Sequence, residues 1–440
     1  MKKRFFYLLT ASILVSCEVL PVEDNPDNNL NEYPLDDQIT VTLPSPTAEV
    51  KSVGLDEAQR GYVNAGNRMG FRMLEQLYEG KNMVFSPLSL QYALAMTANG
   101  ASGETLQEII DFLGYGDEGI DALNAYNRIL MEELPAVDLE NTLKVTNALL
   151  VRDDLRLLPS FRETVSSNYY AAVENCSFAD PEYAAARVNE WASRNTDGFI
   201  DKVLMPGDFN GQTLALIMNA LYFKAKWAGS EGDPMFWEES TREEPFTCPD
   251  GVKVPVQMMH TMKYFPYAEM DGYMVVALPF RNYKYYMYFL LPTENDIDGL
   301  IARLPDISWK ELTGSFKRDA EVYVSLPKFE IEERYNLNET LGALGIRKPF
   351  QAGEATFDRM FDVNQDPWRF WIGNVIQKAK IAVTEWGTEA GAVTVVMMAG
   401  SAFPGEEPKR VYFTADHPFV FAIGEASSGT ILFQGVFSGK

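Results

Sequence analysis

Glu385-Trp386-Gly387-Thr388-Glu389-Ala390-Gly391-Ala392-Val393-Thr394-Val395-Val396-Met397-Met398 carries two signals at once. It opens like a strand and then puts small residues where a core strand would carry large ones. Every second residue from Thr388 (Thr388, Ala390, Ala392, Thr394 and Val396) is small or β-branched and uncharged. That alternate face can be buried in a sheet while Glu389 would point to water. The residues that follow, Ala399-Gly400-Ser401-Ala402-Phe403-Pro404-Gly405-Glu406-Glu407-Pro408, read as an exposed loop rich in Gly and Pro. A strand-competent segment joined to an exposed loop describes a piece of chain with two possible states. An ordinary edge strand with a hairpin loop is the plainer reading of the same residues.

Working outward, strand signals dominate the second part of the chain: Thr142–Val151, Leu214–Ala225, Tyr273–Pro279, Tyr285–Leu291, Ala320–Phe329, Val375–Thr384, Phe419–Ile423 and Ile431–Val436. Helical signals crowd the first part. Phe71, Leu74, Leu77 and Tyr78 share a helical face, and Ser86-Pro87 offers an N-cap followed by proline at the first helical position. Further helices are predicted from about Glu104 to Leu113, stopping at Gly114, and over 182–195. Helices first and strands later argue for an α+β fold rather than alternating parallel units.

The composition narrows the chemistry. Hydrophobic residues make up 46% of 440, enough for a large core. At about 150 residues per domain the length would allow three domains. The 38 Lys+Arg against 62 Asp+Glu give a net charge of −24, which argues against nucleic acid or anionic lipid as a partner. The two histidines, His260 and His417, leave few candidates for a Ser/His/Asp base or a metal site, and no metal or cofactor is expected. Gly114-Tyr115-Gly116-Asp117-Glu118-Gly119 matches a dinucleotide-binding string, but it follows a helix rather than a strand and its acidic pair would repel a pyrophosphate. Asp416-His417 looks like half of a relay pair, yet the chain has no Gly-x-Ser-x-Gly elbow. A structural histidine is expected there.

The N-terminus decides the compartment. Lys2-Lys3-Arg4 precede an apolar run from Phe5 to Val15, too short to span a bilayer, so residues 1–16 read as an export signal. Leu14-Val15-Ser16-Cys17 resembles the bacterial lipobox, in which the cysteine is lipidated and becomes the mature N-terminus; an ordinary signal with a chance cysteine is the alternative. Residues 17–59, acidic and interrupted by Pro21, Pro26, Pro34, Pro44 and Pro46, read as an extended tether. The expected location is outside the inner membrane, lipid-anchored in a bacterial envelope, facing the periplasm or the cell exterior. Cys176 and Cys248 lack any paired spacing and are expected to be free buried thiols.

Several motifs together resemble the serpin family. Glu385-x-Gly387-Thr388-Glu389-Ala390 is similar to the serpin hinge, and Phe413-Thr414-Ala415-Asp416-His417-Pro418-Phe419 to the family's C-terminal signature. Further matches are Asn82-Met83-Val84-Phe85-Ser86-Pro87-Leu88-Ser89, Asn189-x-Trp191 with Thr196-x-Gly198-x-Ile200, Asn219-Ala220-Leu221-Tyr222-Phe223-Lys224-x-Lys226-Trp227, and Leu326-Pro327-Lys328-Phe329. They run in the family's order, so residues 60–440 read as one serpin domain. The fold implied is a helical bundle around three β-sheets with an exposed reactive loop.

The function implied is suicide inhibition of serine proteases, and sometimes cysteine proteases, without enzymatic activity of the chain itself. The target attacks the reactive loop and forms a covalent acyl complex; the freed hinge, Glu385 to Thr394 with Gly391 and Ala392 inside it, then inserts as a central strand. Strand insertion of this kind is a known serpin behaviour rather than something these residues derive. The family's spacing puts the reactive bond at Ser401–Ala402, with Met398, Ala399 and Gly400 as alternatives. Ser86, Ser89 and Asn219 match the polar cluster that controls sheet opening, with Gln377 where many serpins carry a histidine. Lys328 matches the partner expected for Glu385 where the hinge enters the sheet, and the resemblance groups Trp227 with Lys328 in that region. Small apolar residues at the reactive bond suit elastase-like or subtilisin-like enzymes. A non-inhibitory serpin acting as a surface binding module is the alternative, and the working unit is expected to be a monomer.

Overall fold

The computed structural model describes residues 9–19, 46, 49–209, 213–229, 234–361, 370–387 and 408–440. In chain order the first elements are β1 (Leu9–Val19), α1 (Glu57–Leu77), β2 (Met83–Phe85), α2 (Pro87–Ala98), α3 (Gly103–Leu113), α4 (Gly119–Glu133), β3 (Thr142–Arg152), α5 (Pro159–Tyr169), β4 (Ala172–Cys176) and α6 (Pro181–Asn195). Then follow β5 (Thr213–Lys224), β6 (Arg242–Thr247), β7 (Lys253–Lys263), β8 (Tyr267–Met270), β9 (Tyr273–Pro279) and β10 (Tyr285–Pro292). The last are α7 (Ile297–Arg303), α8 (Trp309–Gly314), β11 (Ala320–Pro327), β12 (Phe329–Asn336), α9 (Asn338–Ala343), β13 (Phe370–Val383), β14 (Lys409–Thr414), β15 (Phe419–Glu425) and β16 (Ile431–Phe437).

Local chemistry sets many of these boundaries. Asp56 accepts from the Gln59 amide while its own N–H donates to the Gln59 side chain, a closed capping box at the start of α1. Ser86 caps α2 through the Ser89 amide with Pro87 at the first position. Gly114 ends α3 at φ +81°, so the glycine-rich string is a helix-ending turn.

The strands form three sheets in the orders β12-β13-β1-β5-β3-β4, β2-β16-β15-β10-β9-β8 and β14-β11-β7-β6. Every residue of α2 is buried, because the helix is sandwiched between β5 and β1 on one side and β16 on the other. Most helices and the three sheets share one large core, and a second, smaller cluster lies between α6 and the opposite face of the six-stranded sheet.

Three expectations change. The single strand Ala320–Phe329 is two strands in different sheets, β11 and β12, broken at Lys328. The tether ends earlier than residue 59. Val50 N–H donates to Ala136 O at 2.9 Å, Val53 and Leu55 are buried, and Lys284 Nζ reaches Lys51 O, so the folded body begins near residue 49. Leu9–Val19, read as leader running into tether, is the strand β1 at the middle of the six-stranded sheet.

Candidate functional site

The centre of the six-stranded sheet is a one-strand slot between two long strands, filled in this structure by β1. β5 and β13 are both antiparallel to β1 and therefore parallel to each other, with a single strand's width between them. The burial pattern along β5 is apolar and almost continuous, as it is for strands covered on both faces. One cluster of side chains closes the slot at its end and another crosses it at mid-height.

At the end, β13 stops at Val383 and the chain makes a tight turn. Thr384 N–H donates to Gly387 O at 3.1 Å and Gly387 N–H returns to Thr384 O at 3.2 Å. Gly387 also bridges Lys226, just beyond β5, in antiparallel fashion. It therefore stands where the first residue of a strand between β5 and β13 would stand. Glycine is required here: φ is +111°, and a Cβ would lie 2.5 Å from Ala225 O and 2.8 Å from Trp227 N. Trp227 stacks on Phe280 at 4.6 Å and 3°, and its indole N–H donates to Thr384 O at 2.8 Å. The side chain that follows the turn's first residue is Glu385, 4% exposed. Its Oε2 accepts from Lys328 Nζ at 2.8 Å and its Oε1 from Thr241 Oγ1 at 2.9 Å. Burial pushes this carboxyl up, and the Lys328 ammonium, a backbone N–H and the Thr241 hydroxyl outweigh it, leaving the group below its ordinary range.

At mid-height a chain of buried amides and hydroxyls spans the slot. The Gln377 side chain on β13 grips the Ser86 backbone with both ends: Oε1 accepts from Ser86 N at 3.1 Å and Nε2 donates to Ser86 O at 3.0 Å. Ser86 Oγ donates to Leu432 O at 2.7 Å. One turn along α2, Ser89 Oγ donates to Asn219 Oδ1 on β5, and Asn219 Nδ2 donates to Asn147 Oδ1 on β3 at 2.8 Å. Asn147 Nδ2 ends the chain at Tyr169 O, 2.7 Å away. Ser86, Ser89, Asn147, Asn219 and Gln377 are all fully buried. The N-terminus of α2 thereby ties β13 on one side of the slot to β5 and β3 on the other, with polar groups that are costly to leave unpaired.

Sequence reasoning placed Lys328, Trp227 and Glu385 in one group and Ser86, Ser89, Asn219 and Gln377 in the other, and the structure brings each group together. It missed Thr241 and Asn147. An asparagine inside the apolar run of β3 was the available signal for the second, since a buried amide needs partners. Thr388, Glu389, Ala390, Gly391, Ala392 and Thr394 of the hinge, and Met398, Ala399, Gly400, Ser401 and Ala402 at the reactive bond, lie outside the described residues. The segment 388–407 joins β13 of the six-stranded sheet to β14 of the four-stranded one. The side chain of Cys17 is likewise outside what is described.

The remaining chemistry-bearing residues are occupied structurally. His417 Nε2 meets Pro292 O and Nδ1 meets Asp416 Oδ1, each at 2.8 Å, so the ring pins a loop. His260 Nδ1 lies 3.0 Å from Ser325 Oγ because the two residues face each other in the β7–β11 ladder. Cys176 and Cys248 are buried and free; burial pushes the Cys176 thiol up to about 11, away from thiolate reactivity. Among the described residues no three His, Cys, Asp or Glu side chains converge on a metal position, and no helix is long and apolar enough to cross a membrane.

The family model described as "Serpin (serine protease inhibitor)" matches residues 64–439. A serpin-like protein of Thermococcus kodakarensis is 30% identical over 438 residues, covering 98% of both chains. The leukocyte elastase inhibitor of Equus caballus is 31% identical over 381 residues, 84% of this chain and 96% of the relative. Among solved structures, the native state of the thermophilic serpin tengpin superposes with a TM-score of 0.76 at 28% identity, covering 89% of this chain and 97% of that one.

Proposed function

This chain belongs to the serpin family, whose members are generally protease inhibitors, and from that premise we propose that it is a suicide-type inhibitor of serine endopeptidases, elastase-like or subtilisin-like ones first among them. The observation that supports this reading is the slot: one antiparallel strand fits between β5 and β13, and Gly387 already bridges the ends of both. The target's serine hydroxyl attacks the carbonyl carbon of Ser401. The bond to Ala402 breaks, the new amine of Ala402 leaves with the hydroxyl proton, and an ester joins Ser401 to the enzyme. The chain downstream of Gly387 then enters the slot, with Thr388, Ala390, Ala392 and Thr394 on the buried face. About a dozen residues adding roughly 1 kcal/mol of net hydrogen bonding each give on the order of 10 kcal/mol. That is comparable to the roughly 5–15 kcal/mol that holds a protease domain together, enough to distort its active site before the ester is hydrolysed. Cysteine proteases would be caught through a thioester by the same route.

The inhibitor works as a monomer, without cofactor or metal. It is exported across the inner membrane and held in the envelope through lipid on Cys17, facing the periplasm or the exterior; incorporation of labelled fatty acid that disappears in Cys17→Ala tests this. The reactive bond is tested by sequencing the peptide released from an SDS-stable complex with elastase. It should begin at Ala402, whereas release after Arg410 would refute the assignment. If elastase cleaved the loop without being retained, the surface binding module would be the better reading.

A further inference from the structure

Five strands of the six-stranded sheet come from residues 142–383. The sixth, β1, comes from residues 9–19 and takes the central place between β5 and β13. Its two ladders run almost its whole length: Thr10 faces Tyr222 and Lys380, Ile13 faces Asn219 and Gln377, and Val15 faces Ile217 and Val375. The 29 residues from 20 to 48 can reach up to ~95 Å at ~3.3 Å each. A body of about 380 residues has a radius of gyration near ~21 Å, so the connection spans it freely.

Gly387 fixes the register of a strand entering at the Leu9 end of β1 and running in the same direction, because it bridges both Thr384 and Lys226. Continuing one residue per step along each neighbour brings Gly391 to the level of Thr10, Val395 to that of Leu14 and Met397 to that of Ser16. The two neighbours give the same alignment independently. β1 and the hinge would therefore use the same N–H and C=O groups of β5 and β13, each of which can complete only one ladder.

We propose that residues 9–19 are an intramolecular plug, which fills the insertion slot and keeps the chain from trapping a protease for as long as they remain attached. Removal of residues 1–16 takes away 9–16, eight of the 11 residues of β1, and empties the slot. Cleavage of the leader would then do more than release the protein for export: it would convert a relaxed chain with a complete sheet into one poised to insert its hinge. The inhibitory consequence rests on the function proposed above; the occupancy of the slot does not.

The test uses the full chain, residues 1–440, purified with its leader uncleaved, beside the full-length variant Ile13→Pro. Proline removes a ladder donor from a central strand and so evicts β1 without touching the neighbours. In the unsubstituted chain the amides of residues 9–19 should exchange at least a hundredfold more slowly than those of Ile13→Pro. The variant should form an SDS-stable complex with elastase at least tenfold more efficiently. A synthetic peptide of residues 9–19, added to the variant, should raise its thermal midpoint and return it to substrate behaviour. Equal exchange in the two chains, or no response to the peptide, would overturn the plug. Efficient and equal trapping by the two chains would do the same. If neither chain trapped elastase while exchange and peptide stabilisation came out as stated, the plug would stand and the inhibitory reading would fall.

Discussion

Lys328 Nζ and Glu385 Oε2 are 2.8 Å apart, and they join the residue where the chain passes from the four-stranded sheet into the six-stranded one to the residue just beyond β13. The pair therefore ties the mouth of the slot to a neighbouring sheet. Lys328 is part-exposed while Glu385 is buried, so removing the cation strands the buried carboxylate with only the Thr241 hydroxyl and a backbone N–H. Lys328→Met should lower native stability by about 2 kcal/mol, read as the shift of the urea midpoint. Glu385→Gln, which keeps an acceptor for Thr241 and leaves no buried charge, should cost about 1 kcal/mol or less.

The same pair predicts a pH dependence. Glu385 is held below its ordinary value near 4.5, so its folded form binds protons less readily than its unfolded form. Its contribution is complete above that value and is lost as pH falls through the lowered folded value. Glu332 has the same sign: burial pushes it up, and Lys378 and Lys380 on the neighbouring strand bring it down further. Urea midpoints measured from pH 7 to pH 3 should fall only below about 4.5, and Lys328→Met should flatten part of that fall. An unchanged profile in the variant would remove Lys328 from the account.

Gln377 should make opening of the sheet indifferent to pH near neutrality. The network that crosses the slot consists of Ser86, Ser89, Asn147, Asn219 and Gln377, none of which titrates there. Rates of protease inhibition should be flat from pH 6 to pH 8 apart from the enzyme's own profile. Gln377→His should introduce a step near the imidazole value. A steep profile in the unsubstituted protein that vanished in Gln377→Asn would contradict this.

Thr388→Arg places a charge on the hinge face that must be buried on insertion. An unpaired buried charge costs several kcal/mol, enough to stall the strand at its first step. The variant should be cleaved at the same bond but release the enzyme, so that the moles of inhibitor consumed per mole of enzyme rise at least tenfold.

Much of this site was legible because its residues carry local signals. Ser86-Pro87 announces a helix start, and Pro87 is the first residue of α2. What was not legible depends on long-range pairing. Thr241 lies in a charged stretch just before β6, and only the long-range approach of Glu385, beyond the end of β13, gives its hydroxyl a partner. β7 escaped because its half-exposed residues and Pro255 imitate a loop, although it spans Lys253–Lys263. The break at Lys328 follows Pro327, which has no N–H for the ladder, but nothing local tells that the chain passes between sheets there. Leu9–Val19 shows the deepest ambiguity, since a short apolar run rich in β-formers satisfies both an export signal and a central strand. Periodicity cannot choose between them.

On the function proposed above, this chain traps proteases through the slot between β5 and β13. That function is tested most directly by expressing the chain with its leader so that export processes it, mixing the product with elastase, and resolving the mixture in SDS. A covalent band is expected at the summed mass of enzyme and cleaved inhibitor, formed at close to one inhibitor per enzyme and lost in Thr388→Arg. Complete cleavage of the processed chain with full recovery of elastase activity and no such band would contradict it.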